Sequence, residues 1–330
     1  MNPILQRLYD KINDLCDGNI NVLHSSFDSF LFQDINLEKV ISLLPQWVAC
    51  SGVSAESRIS KDLYEKYRRN FSHPYLNKFF YYYDMWSLFA TVQDRLIAVS
   101  YHLQEFYRSV PCELKFKEKN YTSCLVTTGI QQDRTFAALN SVFVALASIF
   151  DLLTKIATEQ YSFNNYDFLS YRKMKSDGVL FGRSGNKSVN STLKEPGLLF
   201  SSPPCVKKIL TFRNEFVHNG SWDMRCGIYE TWVDKEPGDI LVLAPDMDNN
   251  GNFVSSGSRN KFYSQHNYIN AQLPQLLMDV LDVIEKTIDY LTELYQKDTI
   301  RREDTILTED CIMALTNYYS NSSKVTEEKQ

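Results

Sequence analysis

The chain has 330 residues, a net charge of −5, 44% hydrophobic residues and 13% aromatic residues. That length supports one large domain or two modest ones, and that apolar content supports a sizeable core. The acidic balance excludes a uniformly basic nucleic-acid coat, so any RNA or DNA site must be a local patch.

Seven cysteines lie at 16, 50, 112, 124, 205, 226 and 311, with no CxxC pair. This argues against a disulfide framework and a zinc ribbon, and fits reduced thiols in a cytoplasm. The N-terminus, MNPILQRLYDKINDLCD, is charged throughout and has no apolar signal-peptide region. The uncharged run Thr135 to Phe150 contains Asn140 and falls short of the ~20 residues of a membrane span, so no membrane association is expected.

Residues 1–75 read as an α-helical N-terminal extension, with NPILQRLYDKINDLC and NLEKVISLLPQWVAC as its short helices. A first long helix runs from about Phe80 to Arg108, with Leu88, Val92, Leu96, Val99, Leu103 and Phe106 on one stripe. A second covers about Gln131 to Thr158. Its apolar residues form two stripes, Phe136-Leu139-Phe143-Leu146-Phe150-Leu153-Ala157 and Val142-Ala145-Ile149-Leu152-Ile156. A helix apolar on two faces is central, or is shared between a core and a dimer interface.

The stretch 161–202 reads as a long basic loop. Arg172, Lys173, Lys175, Arg183, Lys187 and Lys194 are set there against Asp167, Asp177 and Glu195, with Phe163, Tyr166, Phe168, Tyr171 and Phe181 interleaved. A third helix spans about Pro203 to His218, with Ser202 as its N-cap and Gly220 as its stop. A β-insertion at 227–258 follows, with GIYETWVD, DILVLAPD and NFVSSG as strands and KEPG and DNNG as turns. The last long helix, about Ala271 to Gln296, carries Leu273, Leu277, Val280, Ile284, Ile288, Leu291 and Tyr295 on one stripe. Residues 301–330 read as a C-terminal helix and a solvated tail. The fold class is mainly α, with four long helices forming a bundle over 76–300 and a small sheet inserted before the last one.

The third helix holds the chemistry-bearing motif, in ILTFRNEFVHNGSW. Arg213 and Asn214 precede His218, and the helix then breaks at Asn-Gly. Of two other Arg–His spacings, Arg68…His73 contains its own Arg69-Asn70 but is followed by Pro74 and has no helical stripe around it, and Arg95…His102 lies mid-helix without an adjacent Asn. Lys207, Thr211, Asn214 and His218 step along one polar stripe, opposite Val206, Ile209, Leu210, Phe216 and Val217. At ~100° per residue Arg213 falls in the middle of that apolar face, about 140° from His218. It is then either a buried ion-pair anchor to an acid on the second or last helix, or it reaches out along its stem.

The Arg213-Asn214-x3-His218 motif, on a helix placed after two long helices and before a last one, resembles the HEPN superfamily. The resemblance covers roughly residues 79–297. It implies a four-helix core and a homodimer in which two motifs line one cleft. It also implies metal-independent RNA cleavage in many members, with Arg213, Asn214 and His218 as catalytic residues. Other members only bind nucleic acid or a partner protein. A toxin or anti-phage role, and an antitoxin partner, are expected by the same analogy.

RNA brings its own nucleophile, the 2′-OH. Cleavage needs a base for its proton, an acid for the leaving 5′-oxygen and positive charge on the phosphorane. Histidine is suited to the proton transfers and arginine to a forked grip on phosphate. The products are a 2′,3′-cyclic phosphate and a 5′-OH. Arg172, Lys173, Lys175, Arg183 and Lys187, joined by Lys207 and Lys208, form the candidate RNA-backbone surface. GVLFGRSGNKS is not a phosphate loop, because Asn186 stands before Lys187 where Gly is required. DMDNNG mimics a calcium loop but has Gly257 at the twelfth position, so it reads as a turn. No cofactor and no metal site are expected. Trp222, Trp232 and Tyr81 to Tyr83 read as core or interface aromatics.

Overall fold

The structure, a computed structural model, describes residues 2–32, 51–55, 58–70, 74–111, 123–127, 129–163, 174–182, 195–223, 226–264 and 267–297. It is mainly helical, with a small antiparallel sheet. In chain order the elements are α1 (Pro3–Asp14), α2 (Ile20–Leu31), α3 (Lys61–Asn70), α4 (Pro74–Ser109), β1 (Ser123–Thr127), α5 (Ile130–Ser162), α6 (Pro204–Asn219), β2 (Ile228–Val233), β3 (Glu236–Val242) and α7 (Ile269–Lys297). Two compact units are built from interleaved segments. The first comprises Met1–Asn19, Val92–Leu153 and Phe181–Ile288, and the second Ile20–Thr91, Thr154–Leu180 and Asp289–Gln330.

The periodicity of the long helices translates directly into burial. Val92, Leu96, Val99, Leu103 and Phe106 of α4 are buried, as is the whole α7 stripe from Leu273 to Tyr295. On α5 both stripes are buried, apart from the half-buried Phe136 and Leu152. Among the described residues α5 is the one helix long and apolar enough to cross a membrane, and 67% of its most apolar window is buried inside the protein. Packing against protein thus accounts for its composition. α4 starts at Pro74, earlier than its stripe suggests, because proline is accommodated in a first turn. The expected helix NLEKVISLLPQWVAC and the C-terminal segment 301–330 lie outside the described residues.

In the first unit, α1 is capped by Asn2, whose Oδ1 accepts from the Ile4 amide at 2.9 Å. Lys11 ties it to Asp282 at 3.2 Å and to Glu285 on α7. The sheet order is β1-β2-β3, all antiparallel, with Ser123 opposite Trp232 and Thr127 opposite Ile228. β1 precedes α5, so the sheet is not confined to an insertion before the last helix. The hairpin turn is Asp234–Lys235, with φ of 49° and 72°, and Glu236 to Gly238 already belong to β3. The expected KEPG turn is therefore displaced toward the N-terminus. A two-residue loop with both residues left-handed matches strand twist, and that requirement outweighs the turn preference of Pro-Gly. NFVSSG forms only isolated bridges, Met247 with Phe253 and Ser256 with Arg259. Buried Asn270 joins the sheet to α7: its Oδ1 accepts from Val242 N at 3.0 Å, and its Nδ2 donates to the carbonyls of Ile240 and Pro111.

In the second unit, Phe27 of α2 lies among Tyr81, Tyr82, Phe89 and Tyr295, with ring centroids 5.4 to 6.2 Å apart. Tyr81 and Tyr82 are core residues, as expected. His24 stacks on Tyr82 and places Nε2 3.4 Å from Asp28 Oδ1. Burial pushes the Asp28 carboxyl up to about 6, against a hydrogen bond with Tyr82 that lowers it, and burial pushes His24 down. A raised carboxyl favours folding below about pH 4, and that contribution is lost as pH rises through about 6. The depressed His24 acts oppositely, costing stability as pH falls below about 6.5. Replacing Asp28 with Asn should therefore remove the loss of stability between about pH 4 and 6 that the carboxyl contributes. Thermal melts of Asp28→Asn and wild type across that window check this; parallel pH profiles would contradict it.

Candidate functional site

α6 begins differently from its sequence pattern. Ser202 is left-handed, with φ 52°, and the N-cap is Pro203, which makes no side-chain cap bond; Pro204 takes the first helical position. With two prolines in succession, fixed φ angles start the helix and no hydroxyl cap is needed. The stop falls where expected, at Gly220 with φ 79°.

Aromatic packing sets the roll of α6. Phe212 stacks on Phe143 of α5 at 4.9 Å, and Phe216 lies 6.1 Å from the same ring. Trp222, only 1% exposed, closes on Phe212, Phe216 and Phe136, and its Nε1 donates to the Leu243 carbonyl at 3.2 Å. The buried face is therefore Val206, Ile209, Phe212 and Phe216. Leu210 is half-buried and Val217 is 47% exposed, so neither belongs to the apolar seam on which the sequence places them. Phe212, absent from that expected seam, is central to it because its ring is larger than either.

This roll determines where the motif lies. Arg213 is half-buried, and its Nη1 donates to Asn214 Oδ1 at 3.1 Å. Of the two alternatives for Arg213, the buried ion pair to an acid on α5 or α7 is not formed: among the described residues Arg213 has no carboxylate partner. Its stem starts at the apolar seam and its head turns toward the exposed side. Asn214 and His218 are exposed on that side with Lys207. The structure thus brings Arg213 to Asn214, and places His218 one turn further on with no hydrogen bond to either. Thr211, expected on the same polar stripe, is occupied elsewhere: its hydroxyl donates to the Gly251 carbonyl at 2.8 Å.

Of the candidate RNA-backbone residues, Lys207 is exposed and Lys208 half-buried on α6, while Lys175 is exposed in the second unit. Arg172, Lys173, Arg183 and Lys187 lie outside the described residues. Several parts of 161–202 are packed. Phe181 meets Phe150 at 5.8 Å and its amide donates to Asp151, the Leu199 amide donates to Thr287, and Ser176 N donates to buried Glu159 at 2.6 Å.

The segment after β3 is clipped along a second side of α6, a feature the sequence does not disclose. Lys261 pairs with Glu215 at 2.7 Å, both largely shielded, and Asn219 Nδ2 donates to the same carboxylate oxygen. Phe253 packs on Phe212 at 5.7 Å, with the Lys261 ammonium 5.9 Å from its ring centre. The DNNG turn forms as expected. Asp248 accepts from the amides of Asn250 and Asn252, which holds its carboxyl below the usual range, and Asp246 accepts from Ser264. The Asp248 carboxylate thus serves the turn itself, while the Asp246 carboxylate ties the turn to Ser264. Among the described residues no group of three His, Cys, Asp or Glu side chains could hold a metal. Gly251 is the point of closest approach, where an added Cβ would meet Lys208 N at 2.9 Å and Pro204 O at 3.0 Å.

Beside this clip a cleft of about 430 Å³ opens, lined by Lys208 and Phe212 of α6, Met247 and Asn267 after β3, and the first turns of α7 as far as Asp279. Cys205 lies at its edge, with Sγ 3.9 Å from the Asp279 carbonyl, and burial pushes its thiol up.

Comparison with known proteins finds no matching family model, no similar curated protein and no similar solved structure.

Because Gly251 has φ +81° and no room for a side chain, Gly251→Ala should cost about 1–3 kcal/mol through strain and displacement of the clip. Denaturant unfolding measures this. A loss below about 0.5 kcal/mol, the scale of an ordinary surface substitution, would mean the clip yields freely.

Proposed function

We propose that this chain is a homodimeric, metal-independent endoribonuclease of the HEPN type. The reading rests on one observation above all: the Arg213 head leaves the apolar seam to bond Asn214, on the same exposed side as His218. That arrangement supplies a cation and an imidazole to one open helix face. It removes the main objection raised by the helical geometry, that Arg213 would be consumed by a buried acid.

In the reaction one His218 removes the 2′-OH proton, and the oxygen attacks the adjacent phosphorus. The phosphorus–5′-oxygen bond breaks as the His218 of a second copy protonates the leaving oxygen. Arg213 neutralises the charge that grows on the phosphoryl oxygens, and Asn214 holds Arg213 in position. A second copy is required because one chain supplies one His218. The exposed Val217 within the motif and the half-buried Leu210 before it give that copy apolar surface to cover. A cytoplasmic toxin or defence role, with an antitoxin or other partner protein, accords with an activity that destroys RNA.

A second reading is a non-catalytic scaffold of the same type that binds RNA or a partner protein. The observation in its favour is that His218 has no orienting hydrogen bond among the described residues. Incubating labelled total RNA with purified protein in EDTA separates the two. The ribonuclease reading expects fragments ending in 2′,3′-cyclic phosphate, with His218→Ala and Arg213→Ala each reducing cleavage by about 10²-fold or more. A folded dimer that cuts nothing while retaining RNA would favour the scaffold.

A further inference from the structure

We propose that the cleft beside α6 is a recognition pocket for a guanine base. Its volume, about 430 Å³, falls within the range of roughly 300–1,000 Å³ typical of small-molecule sites. Phe212, Met247 and residues from the start of α7 supply apolar surface. Lys208 and Asp279 supply opposite charges, and among the described residues they do not pair with each other. Lys208 has no ion-pair partner there at all. Asp279 Oδ1 accepts from the Gln275 amide at 2.8 Å, which fixes the carboxylate and leaves its other oxygen available. Burial raises the Cys205 thiol, with Asp279 adding to the shift and Lys208 opposing it, so both charges act on the same neighbourhood.

A ligand that fits must be flat, partly apolar, and must present acceptors on one edge and donors on another. Guanine does so. Its O6 and N7 accept, which suits an ammonium, and its N1–H and N2–H₂ donate, which suits a carboxylate. In the same pose adenine would set its N6 amino group against the ammonium and its N1 lone pair against the carboxylate, and would keep only N7 as a matched acceptor. Unpaired bases are read on these edges in single-stranded RNA. Asn267, whose Nδ2 already donates to Pro245, retains its carbonyl oxygen as a further acceptor. The wall is built rather than fortuitous, since the flush contact of Gly251 on Lys208 N holds the turn against the pocket side of α6.

Lys208 and His218 are ten residues apart on one helix, about 15 Å along its axis. A guanine held at Lys208 would lie on the same strand as a phosphate held at the motif, a few nucleotides away. This strand placement rests on the ribonuclease reading; the guanine preference itself does not.

Calorimetric titration of the full chain with 5′-GMP, 5′-AMP, 5′-CMP and 5′-UMP tests the pocket directly. GMP should bind at least tenfold more tightly than the others. Asp279→Asn should abolish that preference, and Lys208→Gln should weaken GMP by several-fold. Equal binding of all four nucleotides, or a guanine preference that survives in folded Asp279→Asn, would overturn the proposal. Sequencing of cut ends then separates the sources. A guanine at a fixed offset from the cuts, lost in Asp279→Asn, assigns the pocket to the RNA strand. A GMP preference with unbiased cuts upholds the pocket and assigns it to a free nucleotide. A GMP preference with no cleavage upholds the pocket while the ribonuclease reading fails. Cleavage with neither GMP preference nor guanine bias does the reverse.

Discussion

The stacking of Phe212 and Phe216 on Phe143, sealed by Trp222, is the contact on which the candidate site depends. A helix with one buried seam can roll only as far as its largest side chains permit, and here the seam consists of three rings and an indole. Burying each contributes on the order of 1.5–3 kcal/mol, so the roll is not adjustable at modest cost. Fixing it leaves Arg213 at the border of the seam. The side chain is long enough to place its stem against apolar atoms and its head on the polar side.

The second constraint on α6 comes from the opposite direction. The clip through Thr211, Glu215 and Phe212 occupies the flank that would otherwise extend the polar stripe. The helix therefore presents two separate surfaces, an open motif face and a walled cleft. Asn270 serves the cleft indirectly, because two of its hydrogen bonds hold the start of α7 to β3 and a third holds it to the Pro111 carbonyl. The Asn270 amide is acceptable in the interior because its oxygen and nitrogen are both satisfied, and a satisfied buried amide specifies geometry in a way that apolar contacts do not.

The long helices are legible in the sequence because their stripes repeat over many turns, and a 3.6-residue repeat sustained that long arises in little besides an amphipathic helix. Leu273 to Tyr295 is the clearest case: every residue of the expected stripe is buried. The start of α6 is not legible, since Ser-Pro-Pro satisfies a capping pattern while the backbone uses the prolines instead. β1 has five residues and pairs with a strand some hundred positions later, and nothing within SCLVT announces that partner. The motif residues are visible as types at a spacing, but the direction taken by Arg213 depends on a ring packed from another helix. The Glu215–Lys261 pair spans 46 positions and leaves no local trace, and the cleft is made from three segments that are individually ordinary. The two units are each assembled from non-contiguous segments, a division that no composition shift along the chain marks.

The Asn219–Gly220 step closes the motif helix, and the Asn219 amide nitrogen points at Glu215, which also holds Lys261. Asparagine before glycine is the step most prone to spontaneous amide loss, because the following amide nitrogen can reach the side-chain carbonyl unobstructed. Both residues are exposed to the water that completes that hydrolysis. The product would set a new carboxylate beside the Glu215 oxygen that now accepts from the amide. Two negative charges would then share the single Lys261 ammonium, one residue from His218. The chemical age of the chain is thus written beside its motif, where a single unit of charge alters the field around His218.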